Sequence, residues 1–276
     1  MRSPRPGTRF DLHLHTDRSD GRYPQEEVIE RCARGGLEVI AVTDHDLATL
    51  VDPGPRLVGG RRLHVISGAE VSGMHEGCEY HLLVYFPGEV PVRFRDFCRE
   101  QVRARANRYQ ATVDRLALPE LPPATREGHA GDKALTRLHL AHALVEAGHA
   151  RSVSDAFHRY LGDTLGNVPP IDLPFIEAIR LARAWGGVTS WAHPSAAAAQ
   201  RHVATFVAAG LQGLEVLRPT LSGSERRALR RLARQHGLFV TGGSDWHGWT
   251  HPDDLGLFAV RGHEIRGFLD ALDAAA

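Results

Sequence analysis

The sequence predicts an α/β barrel with a helical insertion, and two observations support this fold class. Short apolar or alternating segments recur along the chain, each followed by a polar loop and a helical pattern, as in parallel α/β barrels. Between residues 92 and 174 this pattern gives way to long helical runs broken by prolines. We therefore expect a barrel domain formed by residues 1–91 and 175–276, with residues 92–174 as a helical insertion that covers the active-site face.

The first half of the barrel is predicted from the periodicity of the N-terminal region. Residues 9–13 alternate apolar and polar side chains, as a half-buried strand does. An amphipathic helix is predicted over residues 25–34, because Pro24 precedes it and Gly35 follows it. Further strands are predicted at residues 37–42, 64–66 and 80–86.

The insertion and the second half of the barrel follow from the same signals. In the insertion we expect helices at residues 94–116, 133–146 and 153–161. Strand patterns resume at residues 187–192, 213–217 and 238–241. Helices are expected between these strands at residues 196–209 and 223–235, and residues 257–260 and 263–271 complete the domain.

The amino-acid composition limits the classes of function that the protein can have. The 33 basic and 33 acidic residues balance, so any attraction to nucleic acid must come from a local patch. Three cysteines are too few and too scattered for a disulfide framework or a thiolate metal site. No apolar run approaches the roughly 18–20 residues that a membrane span needs. The first nine residues lack the apolar stretch of a signal peptide, which predicts a cytoplasmic protein.

Side chains that can bind metal ions lie where the predicted strands end. His13 and His15 point to the same side of an extended strand, so both imidazoles can reach one ion. His45 follows a buried strand and is flanked by two aspartates, an arrangement in which a carboxylate orients a ligating histidine. Glu70 lies in an apolar strand, and a buried carboxylate needs a partner such as a metal ion.

The second half of the chain repeats these residue types. His193 precedes a proline at the end of a strand, and Asp245 and His247 lie among glycines at the end of another. The complete candidate set is His13, His15, Asp20, His45, Glu70, His81, His193, Asp245 and His247. Nine nitrogen and oxygen ligands without cysteine favour Mn²⁺, Zn²⁺, Fe²⁺ or Mg²⁺, and their number predicts two to three ions. Taken singly, Asp20 is also typical of a turn and His81 of a core histidine.

In their order and spacing these motifs resemble the PHP (polymerase and histidinol phosphatase) family. Within it, the chain is similar to nucleoside 3′,5′-bisphosphate phosphatases and related 5′→3′ exoribonucleases over residues 9–248. The resemblance implies a distorted (β/α)7 TIM-like barrel with a trinuclear metal centre. It implies one ion on His13, His15, Glu70 and Asp245, a second on Glu70, His81 and His193, and a third on Asp20, His45 and His247.

The resemblance also implies a metal-dependent phosphoester hydrolase. Nucleoside 3′,5′-bisphosphates are the foremost expected substrates, with the 5′ ends of short RNA as a second class, and no protein partner is predicted. Glu70, Asp245 and His139 are the expected catalytic residues, with His139 as a phosphate contact or proton donor. Arg137, His139 and Arg18 are the expected substrate-binding residues, although surface charge is an equal interpretation of these three. Asp44 and Asp46 are expected to orient ligands.

Three other functions stay open at this point. The first is a histidinol phosphatase or another small-molecule phosphomonoesterase. The second is an amidohydrolase-like enzyme, which the absence of a bridging lysine disfavours, because Lys133 is the only lysine and lies in the insertion. The third is a non-catalytic nucleic-acid-binding module, for which degraded ligands are expected. The basic run Arg99, Arg103, Arg105 and Arg108 predicts a solvated helix face rather than an RNA guide.

Overall fold

A nine-stranded mixed sheet curved into a barrel forms the centre of the protein. The computed structural model describes residues 5–49, 51–124 and 133–276. The strands are β1 (Arg9–Leu14), β2 (Val39–Val42), β3 (Gly54–Val58), β4 (Arg61–His75), β5 (Cys78–Phe86), β6 (Val188–Trp191), β7 (Gly213–Leu217), β8 (Phe239–Gly242) and β9 (Val260–Arg261). Their order is β8-β7-β6-β5-β4-β2-β1-β9, and β3 pairs with β4 outside this path.

The two ends of the sheet path approach each other, so that the barrel is nearly closed. The residues after β8 return to β1, where a parallel bridge joins Leu14 to Trp246. The Asp245 N–H donates to the His13 carbonyl at 3.0 Å, and the His15 N–H donates to the Trp246 carbonyl at 3.1 Å. The predicted distorted TIM-like barrel is confirmed, although the strand path has eight strands rather than seven, and β3 lies outside it.

The expectation of a purely parallel barrel is wrong for β5. This strand runs antiparallel to both β4 and β6. A two-residue turn joins it to β4, and both turn residues have positive φ, 47° at Glu76 and 77° at Gly77. Such a turn matches the twist of paired strands and favours a tight hairpin over a helical crossover. As a result, the first half of β5, including His81, lies at the edge of the sheet where the parallel strands end.

Helices surround the barrel and follow the predicted pattern. They are α1 (Gln25–Arg34), α2 (Val92–Leu116), α3 (Arg137–Glu146), α4 (Val153–Ala156), α5 (Phe175–Ala184), α6 (Ala196–Ala208), α7 (Gly223–Gln235) and α8 (Arg266–Ala274). α4 continues as a π-helical turn over Phe157–Leu161. Ser222 and Glu225 form a capping box that defines the start of α7. Of the helices that the structure describes, none combines the length and apolar character needed to cross a membrane.

The apolar core is divided between the barrel and residues 92–174. Phe94 and Phe97, in the first turns of α2, pack with the barrel core around Trp191. Beyond them, a separate apolar cluster forms around Tyr109 and Leu140 within the predicted insertion. This packing is what an insertion should produce, and the domain boundaries themselves stay a prediction.

Candidate functional site: a histidine and carboxylate cluster

The carboxylate of Glu70 lies at the centre of the cluster. Glu70 is fully buried in the middle of β4. A parallel β-bridge joins it to His45, which lies in the loop that follows β2. Its Oε2 atom lies 3.2 Å from His13 Nε2, 3.3 Å from His15 Nε2 and 3.2 Å from His45 Nδ1. Its Oε1 atom lies 3.1 Å from His81 Nδ1 and 3.0 Å from His193 Nε2. One side chain thus faces five imidazoles.

Asp245 and Asp20 extend the cluster on two sides. The Oδ1 atom of Asp245 lies 3.2 Å from His15 Nε2, and that of Asp20 lies 3.3 Å from His247 Nε2. The other Asp20 oxygen lies 3.6 Å from His45 Nε2. All nine side chains singled out in the sequence therefore meet at one edge of the barrel.

Two of the nine residues occupy unusual backbone conformations. His193 and Asp245 have positive φ values of 31° and 55°. Residues other than glycine adopt this region only when their surroundings impose it, and such residues concentrate at functional sites. Here the strained backbone aims both side chains back towards Glu70 and β1.

Buried polar atoms in the cluster lack hydrogen-bond partners among the described residues. They are His13 Nε2, His15 Nε2, His45 Nδ1, Asp20 Oδ1 and Glu70 Oε2. Leaving one such atom unsatisfied costs about 1–3 kcal/mol, so five at one place call for a shared partner. Because every one of them is a nitrogen or oxygen donor suited to divalent ions, the cluster fits metal binding.

The ligand atoms fall into three overlapping groups, in each of which they lie within 4.8 Å of one another. The groups are His13, His15 and Asp245; His15, Asp20, His45 and His247; and His45, Glu70 and His81. The first and second overlap with the first and third sites that the family resemblance implies. The third group contains His45, whereas the second site that the resemblance implies contains His193 instead. Nevertheless, His193 Nε2 lies 3.2 Å from His81 Nδ1 and faces the same Glu70 oxygen.

The carboxylates and imidazoles of the cluster shift one another's pKa values, whereas burial holds the pKa of His45 well below its usual range. Burial opposes protonation of His15, yet the neighbouring carboxylates of Asp245 and Glu70 raise its pKa to about 10. Burial likewise opposes ionisation of Asp20, but His45 and His247 hold the pKa of that carboxyl well below its usual range. The first shift shows that the carboxylates stabilise a cation beside them, and the second shows that Asp20 stays an anion.

Two carboxylates that the sequence interpretation missed orient the imidazoles. Glu215, buried in β7, accepts a hydrogen bond from His13 Nδ1 at 2.9 Å and from the His193 N–H at 2.8 Å. Glu79 Oε1 lies 3.2 Å from His81 Nε2. In both cases the opposite ring nitrogen is directed at Glu70. Glu215 carried the same signal as Glu70, a carboxylate inside an apolar strand, and Glu79 shares a strand face with the histidine two residues on.

Asp44 holds the loop that carries Asp20. It accepts hydrogen bonds from the Thr16 N–H at 2.8 Å, the Thr16 hydroxyl at 2.7 Å and the Ser19 hydroxyl at 2.6 Å. The backbone groups on either side of His45 pair with those of Glu70, which fixes the two side chains next to each other. Asp44 therefore acts on loop geometry rather than on an imidazole.

Arg105 forms a buried ion pair beneath the cluster. Its Nε lies 2.5 Å from Asp46 Oδ2, and its Nη2 donates to the Ser72 hydroxyl at 2.7 Å. The other Asp46 oxygen accepts the Ser72 N–H at 2.9 Å. With 6% of its side chain exposed, Arg105 is not part of a solvated helix face, so that expectation is wrong for this residue.

A cleft adjoins the cluster and is lined by arginines as well as by residues of the cluster. Its lining includes Asp20, His45, Glu79, His81, Arg105, Arg108 and Arg137. Arg108 donates to Glu79 Oε2 at 2.8 Å and to the Pro169 carbonyl at 2.7 Å, so it too departs from the solvated face that the sequence suggested. Arg137 pairs with Asp163 and lies 3.7 Å from Glu79.

The other two predicted substrate contacts lie at the junction with residues 92–174. His139 Nδ1 accepts the Thr136 N–H at 3.1 Å as part of the cap of α3, and burial lowers the pKa of His139 to about 4. The Arg18 carbonyl accepts the Ala134 N–H at 2.8 Å. Their roles in substrate binding stay predictions.

Comparisons with known proteins agree with this geometry. A family model described as PHP domain matches residues 11–115. The chain is 34% identical over 249 residues to the 5′-3′ exoribonuclease Rnm of Escherichia coli strain K12, covering 86% of this chain and 85% of that protein. The chain belongs to the PHP family. It is therefore a metal-dependent phosphoesterase, as the residues led us to expect.

Two further relatives extend the comparison. One is the 3′,5′-nucleoside bisphosphate phosphatase of Chromobacterium violaceum, 27% identical over 247 residues that cover 86% of this chain and 87% of that protein. The other is a solved structure of a candidate metal-dependent phosphoesterase from Bifidobacterium adolescentis. It superimposes with a TM-score of 0.77 at 27% identity and covers 98% of each chain. The barrel and its accompanying helices are thus shared over almost the whole length.

Proposed function

We propose that this PHP phosphoesterase hydrolyses phosphate esters of nucleotides. Nucleoside 3′,5′-bisphosphates are its foremost substrates, and the 5′ ends of short RNA are a second class. The proposal rests on one observation: the cleft is lined both by Arg108 and Arg137 and by Asp20, His45 and His81 of the cluster. A substrate with two phosphates can place one at the cluster and the other against the arginines. The relatives named for RNA and for bisphosphate hydrolysis support this substrate class.

We further propose that the cluster holds two to three divalent ions, Mn²⁺, Zn²⁺ or Fe²⁺, or alternatively Mg²⁺. The proposed ligand sets are His13, His15, Glu70 and Asp245; Glu70, His81 and His193; and Asp20, His45 and His247. When bound, such ions lower the pKa of water towards neutrality and neutralise charge on the phosphoryl group. The nine side chains offer nitrogen and oxygen atoms only, a donor set that suits these ions.

The protein's own residues then bind and orient the substrate. Glu70 presents one oxygen to each of two groups of imidazoles, so it holds those groups at a fixed separation. Arg137 and Arg18 bind non-bridging phosphate oxygens by charge-assisted hydrogen bonds. Because His139 Nδ1 accepts a backbone N–H, its neutral ring carries the proton on Nε2, which can donate to a phosphate. Its low pKa favours this contact over a role as an acid at neutral pH.

A substrate panel tests the proposal. The purified protein, loaded separately with each ion, is incubated with 3′,5′-bisphosphoadenosine, histidinol phosphate and a short 5′-phosphorylated oligoribonucleotide, and products are separated by chromatography. We expect phosphate release from the bisphosphate and release of mononucleotides from the RNA 5′ end. Turnover confined to histidinol phosphate would overturn the nucleotide assignment in favour of a small-molecule phosphomonoesterase.

Matched variants connect the activity to the cluster. Glu70→Gln keeps the shape of the side chain but removes its charge, and we expect turnover to fall by at least about 100-fold. Glu89→Gln makes the same change at an exposed site and should leave turnover unchanged. Near-normal turnover and metal content in Glu70→Gln would contradict the proposed role of the cluster.

We also propose that residues 92–174 act as an insertion over the active-site face. The support is that α2 contributes Arg105 and Arg108 to the cleft and that α3 contributes Arg137. A cytoplasmic location and the lack of a protein partner stay predictions from the sequence.

A further inference from the structure

A second group of histidines and a carboxylate lies at the tip of the β4–β5 hairpin. His75 ends β4, Glu76 follows in the turn, and His202 projects from α6. One ligand atom from each residue lies within 4.8 Å of the others. The strand register places His75 three residue pairs beyond the Ser72–His81 pair, roughly 10 Å along the strand from the cluster described above. None of the three residues belongs to that cluster.

The two imidazoles are held in an aromatic environment. His202 is 4% exposed, and its ring centroid lies 5.0 Å from that of His75 at an angle of 89°. Phe206 lies 5.0 Å from His75, and Tyr80 lies 5.8 Å from His202. His75 Nε2 is buried and has no hydrogen-bond partner among the described residues. It lies 3.8 Å from Glu76 Oε1, so an unsatisfied nitrogen faces a carboxylate next to a second imidazole.

The chemistry of the group suits a divalent ion. Imidazole nitrogens and carboxylate oxygens are donors that bind divalent ions in proteins. Two histidines and one glutamate are a ligand set that zinc uses, with water in the fourth position. Tetrahedral ligands with bonds of about 2.0–2.1 Å lie roughly 3.4 Å apart, so the group must contract slightly. Glu76 can supply this movement, because 64% of its side chain is exposed.

We propose that His75, Glu76 and His202 form a separate zinc site that ties the tip of the β4–β5 hairpin to α6. Because the site lies outside the phosphoesterase cluster, we assign it a bracing role. The hairpin carries Glu70 and His81, and α6 begins directly after the loop of His193. A zinc ion at this position therefore holds together the β4–β5 hairpin and α6, two segments next to residues of the main cluster.

Counting zinc tests the proposal. Wild-type protein and the double variant His75→Gln/His202→Gln are equilibrated with zinc, dialysed against a competing chelator, and analysed for zinc per chain. We expect the double variant to hold one zinc fewer and to retain its phosphoesterase activity. The exposed-histidine variant His158→Gln should hold as much zinc as wild type. Equal zinc content in wild type and the double variant overturns the proposal.

A single substitution in the turn tests the site even if the double variant fails to fold. Glu76→Gln changes one exposed turn residue and leaves the packed rings intact. Over a series of chelator concentrations, we expect it to lose one zinc equivalent at a chelator concentration at least about tenfold lower than wild type does. Loss curves that coincide overturn the site. Because the readout is metal content, it is independent of whether the proposed nucleotide substrates are correct.

Discussion

The imidazole of His13 is held on both sides by carboxylates. Its Nδ1 donates to Glu215, and its Nε2 faces Glu70 and Asp245. Because a carboxylate only accepts hydrogen bonds, Glu215 fixes the tautomer and leaves the Nε2 lone pair directed into the cluster. The same arrangement recurs at His81, where Glu79 takes the place of Glu215.

The first prediction concerns this orienting carboxylate. We expect Glu215→Gln to lower metal affinity or activity by about 10–100-fold, because the amide cannot hold both His13 and the His193 N–H as a charged acceptor does. Activity measured as a function of added Mn²⁺ checks this, with Glu89→Gln as the exposed control. A metal titration that matches wild type would show that Glu215 does not orient the ligands.

His139 couples stability to pH. Burial lowers its pKa to about 4, whereas a histidine in the unfolded chain has a pKa of about 6.5. Between these values the unfolded chain binds a proton that the folded protein does not. The free energy of unfolding therefore falls as pH drops from about 6.5 to 4, by an amount on the order of 2–3 kcal/mol.

The second prediction isolates this contribution. His139→Gln does not titrate, and glutamine at this helix position preserves the capping box with Thr136. We expect the variant to lose less stability than wild type between pH 6.5 and pH 4.5, as measured by urea unfolding. His158→Gln, at an exposed position, should follow the wild type. If wild type and His139→Gln lose the same free energy, the pH dependence arises elsewhere.

At the scale of elements, α2 is joined to the barrel by a buried ion pair. Arg105 contacts Asp46 in the loop after β2 and Ser72 in β4, and it also donates to the Leu135 carbonyl at 3.4 Å. One guanidinium thus connects a helix of the predicted insertion to two barrel segments that flank Glu70. The pair therefore fixes the position of α2 against the barrel.

The third prediction tests that connection. Arg105→Ala leaves Asp46 buried without its partner, and we expect the free energy of unfolding to fall by about 3–5 kcal/mol. Arg103→Ala, an exposed arginine on the same helix, should change it by no more than about 0.5 kcal/mol. Urea unfolding of both variants provides the comparison. Similar small losses in the two would mean that the pair contributes little to docking of α2.

At the scale of the whole molecule, metal binding and stability should be linked. Ions that bind the folded cluster and not the unfolded chain stabilise the protein by about 2.7 kcal/mol at 100 times their Kd. For a chain of this size, that corresponds to a rise in Tm of roughly 5–10 °C. The unsatisfied buried atoms of the cluster are the physical source of the effect.

The fourth prediction follows from this linkage. Treatment with a chelator should lower the Tm measured by calorimetry, and added Mn²⁺ should restore it. Asp20→Asn removes one buried charge from the cluster, so its gain in Tm on adding Mn²⁺ should be smaller than that of wild type. An identical Tm with and without Mn²⁺ would contradict the proposed occupancy of the cluster.

The sequence by itself determined the barrel class and the set of nine side chains that meet in the cluster. Strand periodicity, glycine and proline positions and adjacent pairs such as His13 and His15 are local properties, so they can be read without knowing which strands are neighbours. The Glu76–Gly77 turn is a local signal as well, because a two-residue turn that ends in glycine favours a hairpin.

Only the tertiary structure decided which residues support the cluster. The contact of His13 with Glu215 joins residues 202 positions apart, and that of Arg105 with Asp46 joins residues 59 positions apart. Such pairs depend on how the barrel closes and on where α2 docks. A buried charge is stabilised by partners in space rather than in sequence, and this is why the role of Arg105 became clear only in the folded chain.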